Sequence, residues 1–126
     1  MLLSVYGTLK KGFPAHYKLG RARLMYMGFH NISFKMIDLG PYPALIKSKE
    51  LHLIYLETYE VSDETTLQEI DMYEGYPSLY LKETIKLPES IETTLYYLAP
   101  QRNSFCANKP IVESGCWIKN KNNHYA

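Results

Sequence analysis

The stretch from residue 51 to residue 75 constrains the fold more than any other. Leu51, Leu53, Tyr55, Tyr59 and Val61 fall on one face at a period of two, the signature of a half-buried strand. Glu57 falls on the same face, so its carboxylate stands at a wet end of the strand or is paired. Ser62 then reads as a helix N-cap, with Asp63 and Glu64 in a first turn where carboxylates complement the helix dipole. The helix is predicted to run to Glu74 and to stop at Gly75, with Leu67 and Ile70 facing the core and Pro77 preventing continuation. Further strands are predicted over 2–6, 32–38, 79–87 and 91–98, and a second helix over 14–22, opened by Pro14 and striped by Ala15, Leu19 and Ala22. Many strands with two helices imply an α+β domain whose mixed or antiparallel sheet could close as a barrel. Strict β-α-β alternation is missing, which argues against a doubly wound sheet.

With 126 residues the chain is expected to be one domain, 1–126. Fourteen Lys and Arg against 13 Asp and Glu leave a formal charge of +1, too little to call for nucleic acid. No apolar run approaches the ~20 residues of a spanning helix, so no membrane partner is expected. Residues 1–6 lack a basic leader, which makes the cytoplasm the expected compartment, and the size and charge make a monomer the expected state. Cys106 and Cys116 form no C-x-x-C motif and are expected to be reduced, with one disulfide between them the other reading. His16, His30, His52 and His124 are scattered, so no metal site is expected. Tyrosine is the outlier, 12 residues against four Phe and one Trp. It suits both a half-buried sheet and the wall of a polar pocket.

Three segments could carry chemistry. Val5-Tyr6-Gly7-Thr8-Leu9-Lys10 ends a strand in glycine and can free successive backbone N–H groups for an anion; it also fits a plain tight turn. Asp71-Met72-Tyr73-Glu74-Gly75-Tyr76-Pro77 puts a carboxylate at a helix C-terminus among Tyr73, Tyr76 and Tyr80. The dipole and the poorly hydrated surroundings would both raise the pKa of Glu74 toward that of a general base. A solvated glutamate at a helix end is the other reading. Pro41-Tyr42-Pro43 could stiffen an aromatic wall at Tyr42 or simply turn the chain into a strand.

In this order and spacing the three segments resemble the gamma-glutamylcyclotransferase-like family, nearest its short gamma-glutamylamine cyclotransferase branch. The opening V-Y-G-T-L-[KR]-x-G stands complete from Val5 to Gly12, and Pro41 to Ile46 resembles that branch's P-Y-P-x-L-I. G-E-V-Y-x-V is matched by Glu57 to Val61 with Leu56 in place of glycine, L-D-x-[FY]-E-G by Ile70 to Gly75, and the late S-G-x-W element by Ser114 to Trp117. The resemblance implies a small mixed or antiparallel β-barrel with flanking helices and a reaction without metal or cofactor. Glu74 would take a proton from the α-amine of a small gamma-glutamyl substrate, and that amine would close on its own γ-carbonyl to release 5-oxoproline. The backbone of Tyr6, Gly7, Thr8 and Leu9 would hold the α-carboxylate, with Tyr80 and Tyr42 beside the substrate. Lys82 stands where the family often has arginine and Cys116 where it is often acidic. A non-catalytic module binding gamma-glutamyl or other small carboxylates is the alternative, and a hydrolase of the same group the third reading. Recognition of the leaving group is expected in loops over 13–50 and 99–126.

Overall fold

The computed structural model describes residues 1–106 and 108–118. His124, and the last part of the tail expected to read the leaving group, lie outside the described residues. Strand β1 (Leu2–Val5) leads through a loop and a 3₁₀ turn (His16–Leu19) into β2 (Arg23–Asp38) and β3 (Pro43–Glu60). Helix α1 (Glu64–Glu74) follows, then β4 (Tyr80–Leu87) and β5 (Ile91–Leu98). The five strands form one sheet in the order β2-β3-β1-β5-β4. β1 is antiparallel to β3, from Leu2↔Glu60 to Val5↔Glu57, and parallel to β5 at Leu3↔Thr94. The sheet is therefore mixed and the domain α+β, as expected.

The expected barrel is not closed by strand pairing: β2 and β4 are the two edges of an open sheet. A strap takes the place of closure. On the outer edge of β2, Asp38 N donates to Pro110 O at 2.9 Å and Val112 N to Met36 O at 2.8 Å; on β3, Tyr55 N donates to Gly115 O at 2.8 Å.

Four local expectations change. β2 begins nine residues before the expected 32, because its pairing with β3 carries irregularities between Leu24 and Tyr26 and between Ile32 and Phe34 that scramble the period-two pattern. Much of 13–50, expected as recognition loops, is thus hairpin. The expected helix over 14–22 shrinks to one 3₁₀ turn, ended by Gly20 at a φ of 59°. Asp63 rather than Ser62 caps α1, its Oδ1 accepting from Thr65 N at 3.0 Å. The face assigned to β3 holds only at Glu57, Tyr59 and Val61. Leu51 and Leu53 are 63% and 54% exposed, while Ile54 and Leu56 are buried. The neighbour β1 ends at Val5, opposite Glu57, so nothing from β1 covers the outer end of that face.

Both faces of the sheet carry core. Leu3, Val5, Tyr59, Val61 and Leu98 pack with Ile70 of α1, and Leu67 packs against them partly buried. Phe34, Leu45, Leu56, Leu95, Tyr97 and Trp117 form the other cluster. The buried Ser4 Oγ links strands β1, β3 and β5 through Thr58 Oγ1 at 2.7 Å and Thr93 Oγ1 at 2.8 Å, so these hydroxyls satisfy one another. Among the described residues no helix is long and apolar enough to cross a membrane.

Candidate active site

The chain leaves β1 at Val5 and turns at once, Lys10 N donating to Gly7 O at 3.0 Å. Thr8 and Leu9 sit at the centre of this turn, and neither gives its backbone N–H to an acceptor among the described residues. Gly7 is required by space. A Cβ there would stand 2.9 Å from Cδ and Cγ of Pro43, a ring that cannot fold away. That close approach brings the Pro-Tyr-Pro segment, and Tyr42 with it, against the loop. The loop is held from behind by one near neighbour and by two partners far away in sequence. His16 Nδ1 donates to Leu9 O at 2.9 Å, Glu57 Oε1 accepts from Lys11 N at 2.9 Å, and Lys10 Nζ donates to Trp117 O at 2.5 Å. Glu57 also accepts from Tyr59 Oη at 2.8 Å, so the paired reading of this carboxylate holds.

Glu74 is the last residue of α1. Gly75 follows at a φ of 67°, its N–H bonding to Met72 O at 3.1 Å, and Tyr76 N bonds to Asp71 O at 2.9 Å. This is a Schellman termination, and it turns the chain away immediately after Glu74. Glu74 is half-buried, and among the described residues its carboxylate accepts no hydrogen bond. Burial alone pushes its pKa from 4.5 up to about 7. The helix dipole invoked from sequence is not needed. The Tyr6 and Tyr80 phenols beside it are pushed well above their ordinary range, first by burial and also by the nearby carboxylate, so both stay neutral donors. Tyr6 Oη donates to Tyr96 O at 2.8 Å and Tyr80 Oη to Pro43 O at 3.2 Å.

All seven residues singled out from sequence, Tyr6, Gly7, Thr8, Leu9, Tyr42, Glu74 and Tyr80, line one cleft of about 160 Å³. Val5, Pro43 and Tyr73, named from sequence only as members of the candidate segments, share the lining, and sequence reasoning missed Ser4, Leu79 and Tyr96 on it. Tyr73, read from sequence as one of the tyrosines around Glu74, also has its hydroxyl 2.7 Å from Thr8 Oγ1, tying the helix to the loop. Tyr96 had no local signal. Its hydroxyl bonds Asp71, whose carboxylate also accepts from Lys82 Nζ at 3.1 Å. Lys82 is thus committed to docking α1 on β4. Cys106 and Cys116 are both free thiols. The cleft combines unclaimed backbone donors, a carboxyl able to exchange a proton near neutrality and neutral phenols. It can bind a small carboxylate and remove a proton from a neighbouring group.

A family model described as gamma-glutamyl cyclotransferase, AIG2-like, matches residues 3–119. A Vibrio cholerae protein named provisionally as a gamma-glutamylcyclotransferase is 30% identical over 118 residues, 94% of this chain and 96% of its own length. A Drosophila melanogaster protein named in the same provisional way is 38% identical over 106 residues, 75% of this chain and 67% of its own length. Among solved structures, an AIG2-like protein from Mus musculus superposes with a TM-score of 0.69 at 27% identity, covering 89% of this chain and 85% of that one.

Proposed function

Because the chain belongs to the gamma-glutamyl cyclotransferase, AIG2-like family, we propose that it is a cofactor-free gamma-glutamyl cyclotransferase with Glu74 as its general base. The substrate's α-carboxylate lies on the free amides of Thr8 and Leu9. This sets the α-ammonium beside Glu74, which takes one of its protons. The freed amine attacks the γ-carbonyl carbon of the same molecule, forming the C–N bond of a five-membered ring. The ring nitrogen gives up its second proton as the bond to the leaving nitrogen breaks; with this proton and the one held on Glu74 the leaving nitrogen departs as an ammonium, and Glu74 is again ionised. The products are 5-oxoproline and an amine or amino acid. Tyr80 and Tyr42 wall the substrate into the ring-forming conformer. The attack is intramolecular, so the protein's main tasks are orientation and moving protons from the attacking to the leaving nitrogen.

The observation that carries this reading is the placement of a carboxyl with a pKa of about 7 in the same small cleft as two unclaimed amides. The test is mass spectrometry for 5-oxoproline after incubation with a panel of gamma-glutamyl amines and amino acids. Wild-type protein should form it, and folded Glu74→Gln protein should be slower by at least ~10²-fold. Thermal stabilisation by panel members without product would identify a binding module instead. Free glutamate as the product would identify a hydrolase.

A further inference from the structure

Lys10 follows the cleft loop directly but points away from the chemistry, and it is only 3% exposed. Its ammonium lies 4.0 Å from Cys116 Sγ, held there by the Trp117 carbonyl at 2.5 Å and flanked by the rings of Phe13 at 4.8 Å and Tyr55 at 5.2 Å. Cys116 is fixed from its own side. Gly115 carries a φ of 70° and packs so tightly on Leu53 O that no side chain fits, and Cys116 N is bonded to Ser114 Oγ at 3.2 Å. Cys116 is partly exposed while Lys10 is sheltered. A small oxidant therefore reaches the sulfur first, and the amine stands behind it.

We propose that Lys10 and Cys116 form a reversible, peroxide-dependent covalent cross-link. In the first step hydrogen peroxide oxidises the Cys116 thiol to a sulfenic acid, and the peroxide O–O bond is reduced to give one water. In the second step the unprotonated Lys10 Nζ attacks Sγ, an S–N bond forms, the S–O bond breaks and a second water leaves. Loss of the Lys10 proton is favoured by its surroundings, since burial lowers its pKa, opposed by the nearby Cys116 and Glu57. A disulfide is disfavoured by the fold. Cys106 belongs to the core cluster on the α1 face, whereas Cys116 adjoins Trp117 in the other. The cross-link would fasten the loop carrying the Thr8 and Leu9 amides to the strap. It does not depend on what the cleft binds or catalyses.

Reduced full-length protein should be treated with hydrogen peroxide and weighed intact. The cross-link predicts a loss of about 2 Da, reversed by dithiothreitol, because one oxygen is gained and one water lost. Trypsin should no longer cut after Lys10, and the peptides holding Lys10 and Cys116 should travel joined. Cys106→Ser should keep the loss of mass, whereas Cys116→Ser and Lys10→Arg should abolish it, with the latter trapping dimedone at Cys116. Loss of the shift in Cys106→Ser would mean a disulfide and overturn the proposal. So would its retention in Lys10→Arg, or oxygen addition alone in the wild type. If Lys10→Arg does not fold, the joined peptides in wild-type digests decide the matter.

Discussion

At Glu74 stability and chemistry pull in opposite directions. Its carboxyl titrates near 7 in the folded chain against an ordinary 4.5. Below the lower value both states are protonated and burial is harmless. Between the two values the folded state holds a proton that the unfolded state has lost. Above 7 both are ionised, and the fold bears the full cost of a poorly hydrated charge. Stability due to this group is therefore lost as pH rises from about 4.5 to about 7. Glu74→Gln should stabilise the fold at pH 8 by on the order of 2 kcal/mol, several degrees in Tm, and leave it unchanged at pH 4. Melting curves at the two pH values check this; an equal shift at both would refute it. In turnover the sign reverses. Log kcat/KM should climb with unit slope and level off above about 7, where the base is free. The position of Glu74 was legible in sequence because glycine follows it, and the direction of its pKa because tyrosines surround it. The cause was only half legible: the poorly hydrated surroundings could be read from Tyr73, Tyr76 and Tyr80, whereas the dipole read from the helix is not what raises the pKa and Tyr6 arrives from the loop after β1.

The polar ties of the helix that presents Glu74 to β4 and β5 run through a single carboxylate. Asp71 receives the Tyr96 hydroxyl from β5 and the Lys82 ammonium from β4, both of them partly buried contacts. Asp71→Ala leaves two donors behind and should cost about 1–3 kcal/mol. Turnover should fall with it while the pH midpoint of residual activity stays near 7, which a pH–rate profile of the variant would check. The β4–β5 connection should respond the other way. Glu89 and Ser90 both sit at positive φ, 65° and 61°, where side chains are strained. Ser90→Gly should stabilise by about 0.5–1 kcal/mol, read as a shift in denaturant midpoint. Elements set by local signals were legible: α1 from its capping residues and Gly75, β4 and β5 from alternation. β2 was not, because its pairing irregularities break the period that identifies a strand. The 3₁₀ turn at His16 was not, because Pro14 and a modest apolar stripe suit a first helical turn whether or not a second one follows.

Across the whole molecule the site depends on a segment that never touches the substrate cleft. The strap meets the outer edge of β2 through Met36 and Asp38, reaches β3 through Tyr55, and offers the Trp117 carbonyl to the buried Lys10 behind the cleft loop. None of this was legible. The tail reads as irregular, and its role lies wholly in contacts with residues up to 107 positions away. Even the resemblance of Ser114 to Trp117 marked a motif without saying what it held. Gly115 is the point where the consequence can be measured. A Cβ there would lie 1.8 Å from Leu53 O, a backbone atom in a central strand, at a φ of 70°. Gly12 is a matched control, with a φ of 88° and nothing within 4 Å of its Cβ position. Gly12→Ala should cost only the backbone strain, about 1 kcal/mol. Gly115→Ala must also push the strap off β3 and should cost at least about 3 kcal/mol. Since the strap anchors Lys10, KM for the best gamma-glutamyl substrate should rise in Gly115→Ala by more than the change in kcat. Denaturant melts of the two variants beside steady-state kinetics would check both parts. Equal destabilisation would mean that the strap gives way freely, and an unchanged KM would mean that the loop keeps its amides in place without it.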